Sequence, residues 1–295
     1  MKISIQGAFA LVFSTGLAGA TLLSAVSPAF ADGPATSGLS LWLESNQGLA
    51  TDGSSWLDQS GNGHDATALP GQNPTVIPNA INGLPAVQFS GGQALSIAGQ
   101  VITGQDFTIF AVAQDATTSP AGFREIFSNW DPSNQTTSVF LGTTGFPIAV
   151  RFTDDIGGAN DPIHNQTGVG VIPNAGNPFV LTAVSGSTDA FLNLDGSPFY
   201  DNGAPLSQRD VSSTGYFIGE QGSSPFEYWN GTIEELLVYN GDLTPSQITQ
   251  TQDYLLAKYG IGSPVPEPST WAMIIAGFAG LGWLSRRRAI RPAAA

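Results

Sequence analysis

The chain has 295 residues, no cysteine, 36 glycines, 20 prolines and only 11% charged residues, with a formal net charge of −14. So negative a balance excludes nucleic acid and anionic membrane surfaces as partners of the folded body, because both repel it. The absence of cysteine excludes a disulfide framework and thiol chemistry, so stability rests on core burial.

The first element is a leader. Lys2 is followed by an uncharged, apolar stretch reaching Val26, and Ala29-Phe30-Ala31 supplies the small-x-small pattern of a signal-peptidase site. Residues 1–31 therefore read as a signal helix removed after Ala31, with Asp32 as the new N-terminus. Five of the nine basic residues (Lys2, Arg286, Arg287, Arg288 and Arg291) lie in the chain ends, and of the 23 acidic residues only Glu267 does. The body from 32 to 262 thus holds Arg124, Arg151, Arg209 and Lys258 against 22 carboxylates, a formal charge of −18.

The body reads as β throughout. Turn residues (Gly, Pro, Asn, Asp, Ser) recur every 8–12 positions between short runs of Val, Ile, Phe, Leu and Thr, as in antiparallel sandwiches and barrels. Strands are predicted over 39–44, 86–89, 94–97, 107–114, 125–128, 139–141, 148–152, 179–185, 190–194, 197–200, 216–218 and 232–239. Phe107 to Ala113 is apolar on both faces and should be a central strand. Phe191 to Phe199 should be a hairpin, with Asp195-Gly196 as the φ > 0 turn. One helix follows: Thr244 is its N-cap, Pro245 its first residue, Gln247 completes a capping box and Gly260 ends it. Ile248, Leu255 and Tyr259 share its inner face.

Candidate sites fall between these elements. Trp130, with Asp131 and Asn134, offers an aromatic platform beside polar groups, and Trp229 is a second candidate for the same glycan-binding role. Trp42 and Trp56 have apolar neighbours and belong to packing. Asp154, Asp155, Asn160 and Asp161 place oxygen ligands on a glycine-flexible loop, which suits calcium; Asp58, Asn62 and Asp65 form a weaker cluster of the same kind. His64 and His164 are isolated, so neither a Ser-His-Asp triad nor a transition-metal site is expected. Glu234 and Glu235 are adjacent on a strand and should face opposite sides, so they could not flank one glycosidic bond. No catalytic residue is assigned, and Glu235 is given a backbone hydrogen-bonding role at a sheet edge.

The chain closes with a tail, 263–295. Val265 to Thr270 carries Pro266, Glu267 and Pro268, which stop regular structure. Trp271 to Leu284 is a 14-residue uncharged run predicted as a hydrophobic helix, shorter than the ~20 residues of a comfortable span. Arg286 to Arg291 is a basic stop that would remain cytoplasmic. In its Pro-Glu-Pro, its adjoining Ser-Thr-Trp-Ala-Met and its arginine cluster, this tail resembles the PEP-CTERM sorting signal of exopolysaccharide-producing Gram-negative bacteria. The resemblance implies export across the inner membrane, a transient membrane anchor, and processing near Pro-Glu-Pro by an exosortase-type enzyme.

The body carries a second resemblance. Leu41-Trp42-Leu43, Trp56 to Thr67, Asn82 to Phe89, Asn230 to Asn240, and Leu243 to Gly260, in that order, are similar to laminin-G-like (concanavalin A-like) jelly-roll domains. This implies an all-β, two-sheet antiparallel jelly-roll sandwich over 32–262, closed by one short C-terminal helix. It also implies glycan binding, with glycoside hydrolysis in some branches. The combined expectation is a non-enzymatic cell-surface or matrix protein that binds exopolysaccharide or another matrix component. A divergent glycan-active hydrolase and a protein-binding adhesive module are the alternatives.

Overall fold

The computed structural model describes residues 33–118, 122–130, 139–145, 148–154, 171–172, 176–201, 203, 215–222 and 227–262. Asp131, Asn134, Asp155, Asn160, Asp161, the signal site at Ala31 and the sorting residues Pro266, Glu267 and Pro268 lie outside them. Residues Phe30–Val265 form one compact unit.

Fifteen strands and one helix make up the described body: β1 Leu39–Glu44, β2 Ser55–Trp56, β3 Ala66–Ala68, β4 Thr75–Ile81, β5 Leu84–Ser90, β6 Leu95–Ala98, β7 Phe107–Asp115, β8 Arg124–Ser128, β9 Val139–Thr144, β10 Ala149–Asp154, β11 Phe179–Ser185, β12 Ala190–Leu194, β13 Ser197–Asp201, β14 Gly215–Ile218, β15 Asn230–Asn240, and α1 Pro245–Tyr259. One sheet runs β13-β12-β11-β7-β15-β5-β4, with β1 also paired to β15; the other runs β10-β9-β8-β14-β6-β3-β2. Every pairing between these strands is antiparallel, for example Leu237↔Phe110 between β15 and β7. The architecture is a two-sheet jelly-roll sandwich with one closing helix.

Alternation places the core. Ile109, Ala111 and Ala113 of β7, Leu181 and Ala183 of β11, and Leu236 and Val238 of β15 meet Phe127, Leu141, Val150, Phe152 and Ile218 from the second sheet. The opposite face of β7 and β15, through Phe110, Val112, Leu237 and Tyr239, is buried under Ile248, Leu255 and Tyr259 of α1. This is why β7 is apolar on both faces: it is central in its sheet and covered twice. The helix has the predicted ends. Thr244 and Gln247 form a reciprocal capping box, and Gly260 closes in the left-handed conformation at φ 64°. The 191–199 hairpin turns at Asp195 (φ 49°) and Gly196 (φ 76°).

Three strands were not predicted. β2 and β3 have two and three residues, too few to show a period. β4 contains Pro78, and its ladder to β5 is limited to residues 75–77 and Ile81. It lies at the end of its sheet, where a missing backbone donor is tolerated. No described helix is long and apolar enough to cross a membrane; the 271–284 run lies outside the described residues.

Candidate functional site

Among the described residues there are three cations, Arg124, Arg151 and Lys258, and each is paired with a buried carboxylate. They mark three places in the fold with different degrees of completion.

The first is a pin between the sheets. Asp115, at the end of β7, accepts from Arg124 Nε at 3.1 Å and from the Thr143 hydroxyl at 2.6 Å. Its other oxygen takes the Thr117 amide at 2.9 Å, and Arg124 Nη1 donates to the Gly122 carbonyl at 2.7 Å.

The second lies under α1. A bulge between Ile233 and Glu235 leaves Glu234 without a partner in the β7–β15 ladder. Bulging turns two successive side chains to the same side, so Glu234 and Glu235 both face α1, a correction to the expectation that they point apart. Nor does Glu235 bond backbone at a sheet edge: it sits on central β15 and binds side chains. It accepts from Trp42 Nε1 at 2.6 Å, Lys258 Nζ at 2.5 Å and the Tyr259 hydroxyl at 2.8 Å. Lys258 also donates to Glu44 at 2.5 Å and to the Tyr254 hydroxyl at 3.0 Å. All three ammonium protons have acceptors. Glu234 accepts from the Thr232 hydroxyl at 2.5 Å, and burial pushes its carboxyl up to about 7.

The third is on the outer face of the second sheet. Val150 and Phe152 point into the core, so Arg151 between them points outward. The same reasoning puts Phe140, between Val139 and Leu141, on the outer face. Register aligns Glu125 of β8, Gly142 of β9 and Arg151 of β10 in one row, since Gly142 pairs with both. A Cβ on Gly142 would stand 2.8 Å from Glu125 Oε2 and 2.0 Å from the Arg124 carbonyl. Glycine there leaves the trough in which the carboxylate and guanidinium meet.

Arg151 Nη1 donates to Glu125 and, at 2.5 Å, to Glu227. The Phe123 and Phe140 rings sit 4.1 and 4.2 Å from the guanidinium carbon. Glu227 holds a left-handed conformation at φ 61°, uncommon for a non-glycine residue, and its carbonyl accepts the Glu125 amide at 2.9 Å. Glu125 is 0% and Arg151 4% exposed. Yet Glu125 Oε2 and Arg151 Nε have no hydrogen-bond partner among the described residues. Burial pushes the Glu125 carboxyl up to about 8, although the adjacent Arg151 pulls it down.

Trp130 borders this face. It is half-buried just past the end of β8 and pairs in a parallel bridge with Gly222. Ser128, two residues earlier, donates to the carbonyls of Glu220 and Gln221. Burial pushes the Glu220 carboxyl up to about 7, and burial with the Glu220 charge raises the nearby Tyr228 hydroxyl.

The other predicted residues do not join. Trp229 is fully buried in the inter-sheet core. Its indole donates to the Thr232 carbonyl at 3.3 Å, so it presents no platform; a tryptophan opening a central strand packs inward. Asp154 ends β10, and the remaining calcium candidates lie outside the described residues. The Asp58 cluster is a turn, not a cation site. Asp58 accepts from the Trp42, Ser60 and His64 amides, Asp65 accepts the Asp58 amide, and Asn62 donates to the Leu39 and Ser40 carbonyls. No group of three metal-ligating side chains occurs among the described residues. A cleft of about 350 Å³ opens beside Gly260–Gly262. Two of its polar side chains are committed, Asp195 to the Val180 amide and Tyr259 to Glu235.

The family described as the PEP-CTERM protein-sorting motif matches residues 264–288. The tail is therefore a sorting signal of exported, membrane-processed proteins. A comparison with curated proteins found no match. Among solved structures, the chain is similar to domain 4 of AbnA, a GH43 extracellular arabinanase from Geobacillus stearothermophilus in complex with arabinotriose. That likeness is 17% identical with TM-score 0.51, over 72% of this chain and 98% of that one. It is similar to the binding domain of Paraclostridial Mosquitocidal Protein 1 at 13% identity and TM-score 0.51, over 73% and 52%. It is also similar to Trypanosoma rangeli sialidase in complex with a difluoro-KDN at 17% identity and TM-score 0.50, over 77% of this chain and 33% of the sialidase. The chain thus spans about a third of that sialidase, and these likenesses show the fold.

Proposed function

We propose that the protein is delivered by an exosortase-type system to the cell surface or extracellular matrix, where its sandwich binds polysaccharide without cleaving it. The observation that carries the reading is the outer face of the second sheet: an aromatic-flanked Glu125–Arg151–Glu227 cluster with unpartnered polar atoms, bordered by half-buried Trp130. Polysaccharide sites combine aromatic surface with a few convergent polar groups. Two of the structurally similar proteins are glycan-active or carry a bound oligosaccharide, which supports the reading by analogy of fold.

A binding role is favoured over hydrolysis because the Arg151 guanidinium fills the space between Glu125 and Glu227. Hydrolysis needs a substrate oxygen between its two carboxyl groups.

Affinity electrophoresis of the full chain in gels containing the producing cell's own exopolysaccharide tests the proposal. Retardation that weakens in Trp130→Ala is expected; mobility equal to a polymer-free gel overturns it. Running the gels with calcium and then with chelator tests the cation proposed at Asp154, Asp155, Asn160 and Asp161. Retardation unaffected by chelation removes calcium from the reading.

A further inference from the structure

The last carbonyls of a helix have no acceptor role inside it and need outside donors. At the end of α1 the Leu256 carbonyl takes the Gly260 and Ile261 amides. The Lys258 carbonyl takes a side chain from far away in the chain: Asn82 Nδ2 donates to it at 2.8 Å. Asn82 and Gly83 form the two-residue turn between β4 and β5, both with positive φ, 46° and 78°. One asparagine in an exposed hairpin therefore latches the last turn of α1. That same turn carries the Lys258 side chain, which ties Glu44 and Glu235.

Asparagine is chemically labile, and most so before glycine, where no side chain hinders ring closure. The chain has five such pairs, beginning at Asn62, Asn82, Asn202, Asn230 and Asn240; Asn202 lies outside the described residues. Asn240 is held at both ends of its amide, by the Thr103 amide and the Val101 carbonyl, and the Gly241 amide is bonded to Asp106. Asn230-Gly231 lies inside β15, where a Cβ on Gly231 would collide with the Gln114 carbonyl. The Asn62 amide donates to Leu39, Ser40 and Ser60. Asn82 has a single bond, and both it and Gly83 are exposed. The Gly83 amide has no partner among the described residues, and a side chain at Gly83 would meet nothing within 4 Å.

We propose that Asn82 is a spontaneous deamidation site whose conversion unlatches the C-terminal turn of α1. The Gly83 nitrogen bonds to Asn82 Cγ, the Cγ–Nδ2 bond breaks, and ammonia leaves with the Gly83 amide proton. Water then opens the succinimide at either carbonyl, giving aspartate or isoaspartate. Only water is consumed, so no enzyme or cofactor is needed. The product has lost the donor and places a carboxylate against the Lys258 carbonyl, at the negative pole of the helix. The inference is independent of what the sandwich binds.

The test holds the full chain at 37 °C in mildly alkaline buffer and follows each Asn-Gly peptide by mass spectrometry that resolves asparagine, aspartate and isoaspartate. Asn82 should convert before Asn62 and Asn240. If either of those converts first, or if Asn82 is intact once a urea-unfolded sample has converted, the site is overturned. Hydrogen exchange reads the latch. Asn82→Ala should speed exchange in the last turn of α1 about fivefold, as for one lost hydrogen bond, and Asn82→Asp should speed it further, with β8–β10 unchanged. Exchange in Asn82→Asp equal to wild type overturns the unlatching. Should the variants not fold, the converted wild type, separated by its added charge on an ion-exchange column, takes their place. Equal α1 exchange in converted and unconverted fractions overturns the proposal.

Discussion

The two outer faces of the sandwich are built from the same parts and finished differently. Under α1, one cation joins two glutamates amid aromatic side chains, and Lys258 has an acceptor for every proton: Glu44, Glu235 and Tyr254. On the second sheet, Arg151 also joins two glutamates amid aromatic rings, yet its Nε and one Glu125 oxygen are left open. The Lys258 network fastens a helix, although the neighbouring Glu234 Oε2 is itself buried without a partner among the described residues. The Arg151 cluster ties β8, β10 and the Glu227 segment together. Composition does not distinguish the two clusters; how fully the cation's own donors are used does.

The largest effect should come from breaking the closed network. Lys258→Met leaves Glu44 and Glu235 buried without a counter-charge and should cost about 3–5 kcal/mol in urea unfolding. Arg151→Met should cost less, about 1–3 kcal/mol, because Glu125 already favours its neutral form and Glu227 is 20% exposed. If the two costs came out reversed, the contrast between a fastening face and an open face would be lost.

Protonation sharpens the same comparison. Glu125 (about 8), Glu220 (about 7) and Glu234 (about 7) are all raised by burial above the ordinary carboxylate value. Folded-state values above unfolded ones mean that the folded protein holds more protons between them. Their contribution is complete below the unfolded carboxyl value of 4.5 and is lost as pH rises from there to the folded values of about 7 and 8. The Tm should therefore fall by about 5 °C between pH 5.5 and pH 8.5. Glu125→Gln and Glu234→Gln should each flatten that slope in differential scanning calorimetry; an unchanged slope in both would show that these carboxyls ionise normally.

The smallest effect belongs to the helix cap. Thr244→Ala removes one half of the capping box and should cost about 1 kcal/mol. Hydrogen exchange should speed up in α1 and leave β8–β10 unchanged, which separates the two faces once more.

Much of the fold was legible in the chain. Alternation and turn residues located twelve strands, and Thr244, Pro245, Gln247 and Gly260 located the helix ends. β4 was hidden by Pro78, which is compatible with a strand only at an edge that one strand's sequence does not reveal. The site was far less legible. Glu125, Gly142 and Arg151 stand in three separate strands, and only register puts them in a row. Two bulges, at Glu125/Phe127 and at Ile233/Glu235, shift facing by one residue and defeat period-two reasoning; this is why Glu234 and Glu235 were assigned to opposite sides. Trp229 was misplaced because tryptophan beside asparagine reads equally as surface or core. One signal was available. Val150-Arg151-Phe152 puts a scarce cation between two apolar residues inside a strand, and such a cation must find its counter-charge on the sheet.

The position of β15 also sets the order in which the molecule can be made. β15 bonds β7, β5 and β1 but is read out only at Asn230–Asn240. Until then the first sheet lacks the strand that joins its two halves, and β1 has no partner in it. Sheets that close on contacts so distant in sequence fold slowly. A nascent chain therefore remains threadable through most of its synthesis, and the arrival of its last strand commits it to a shape.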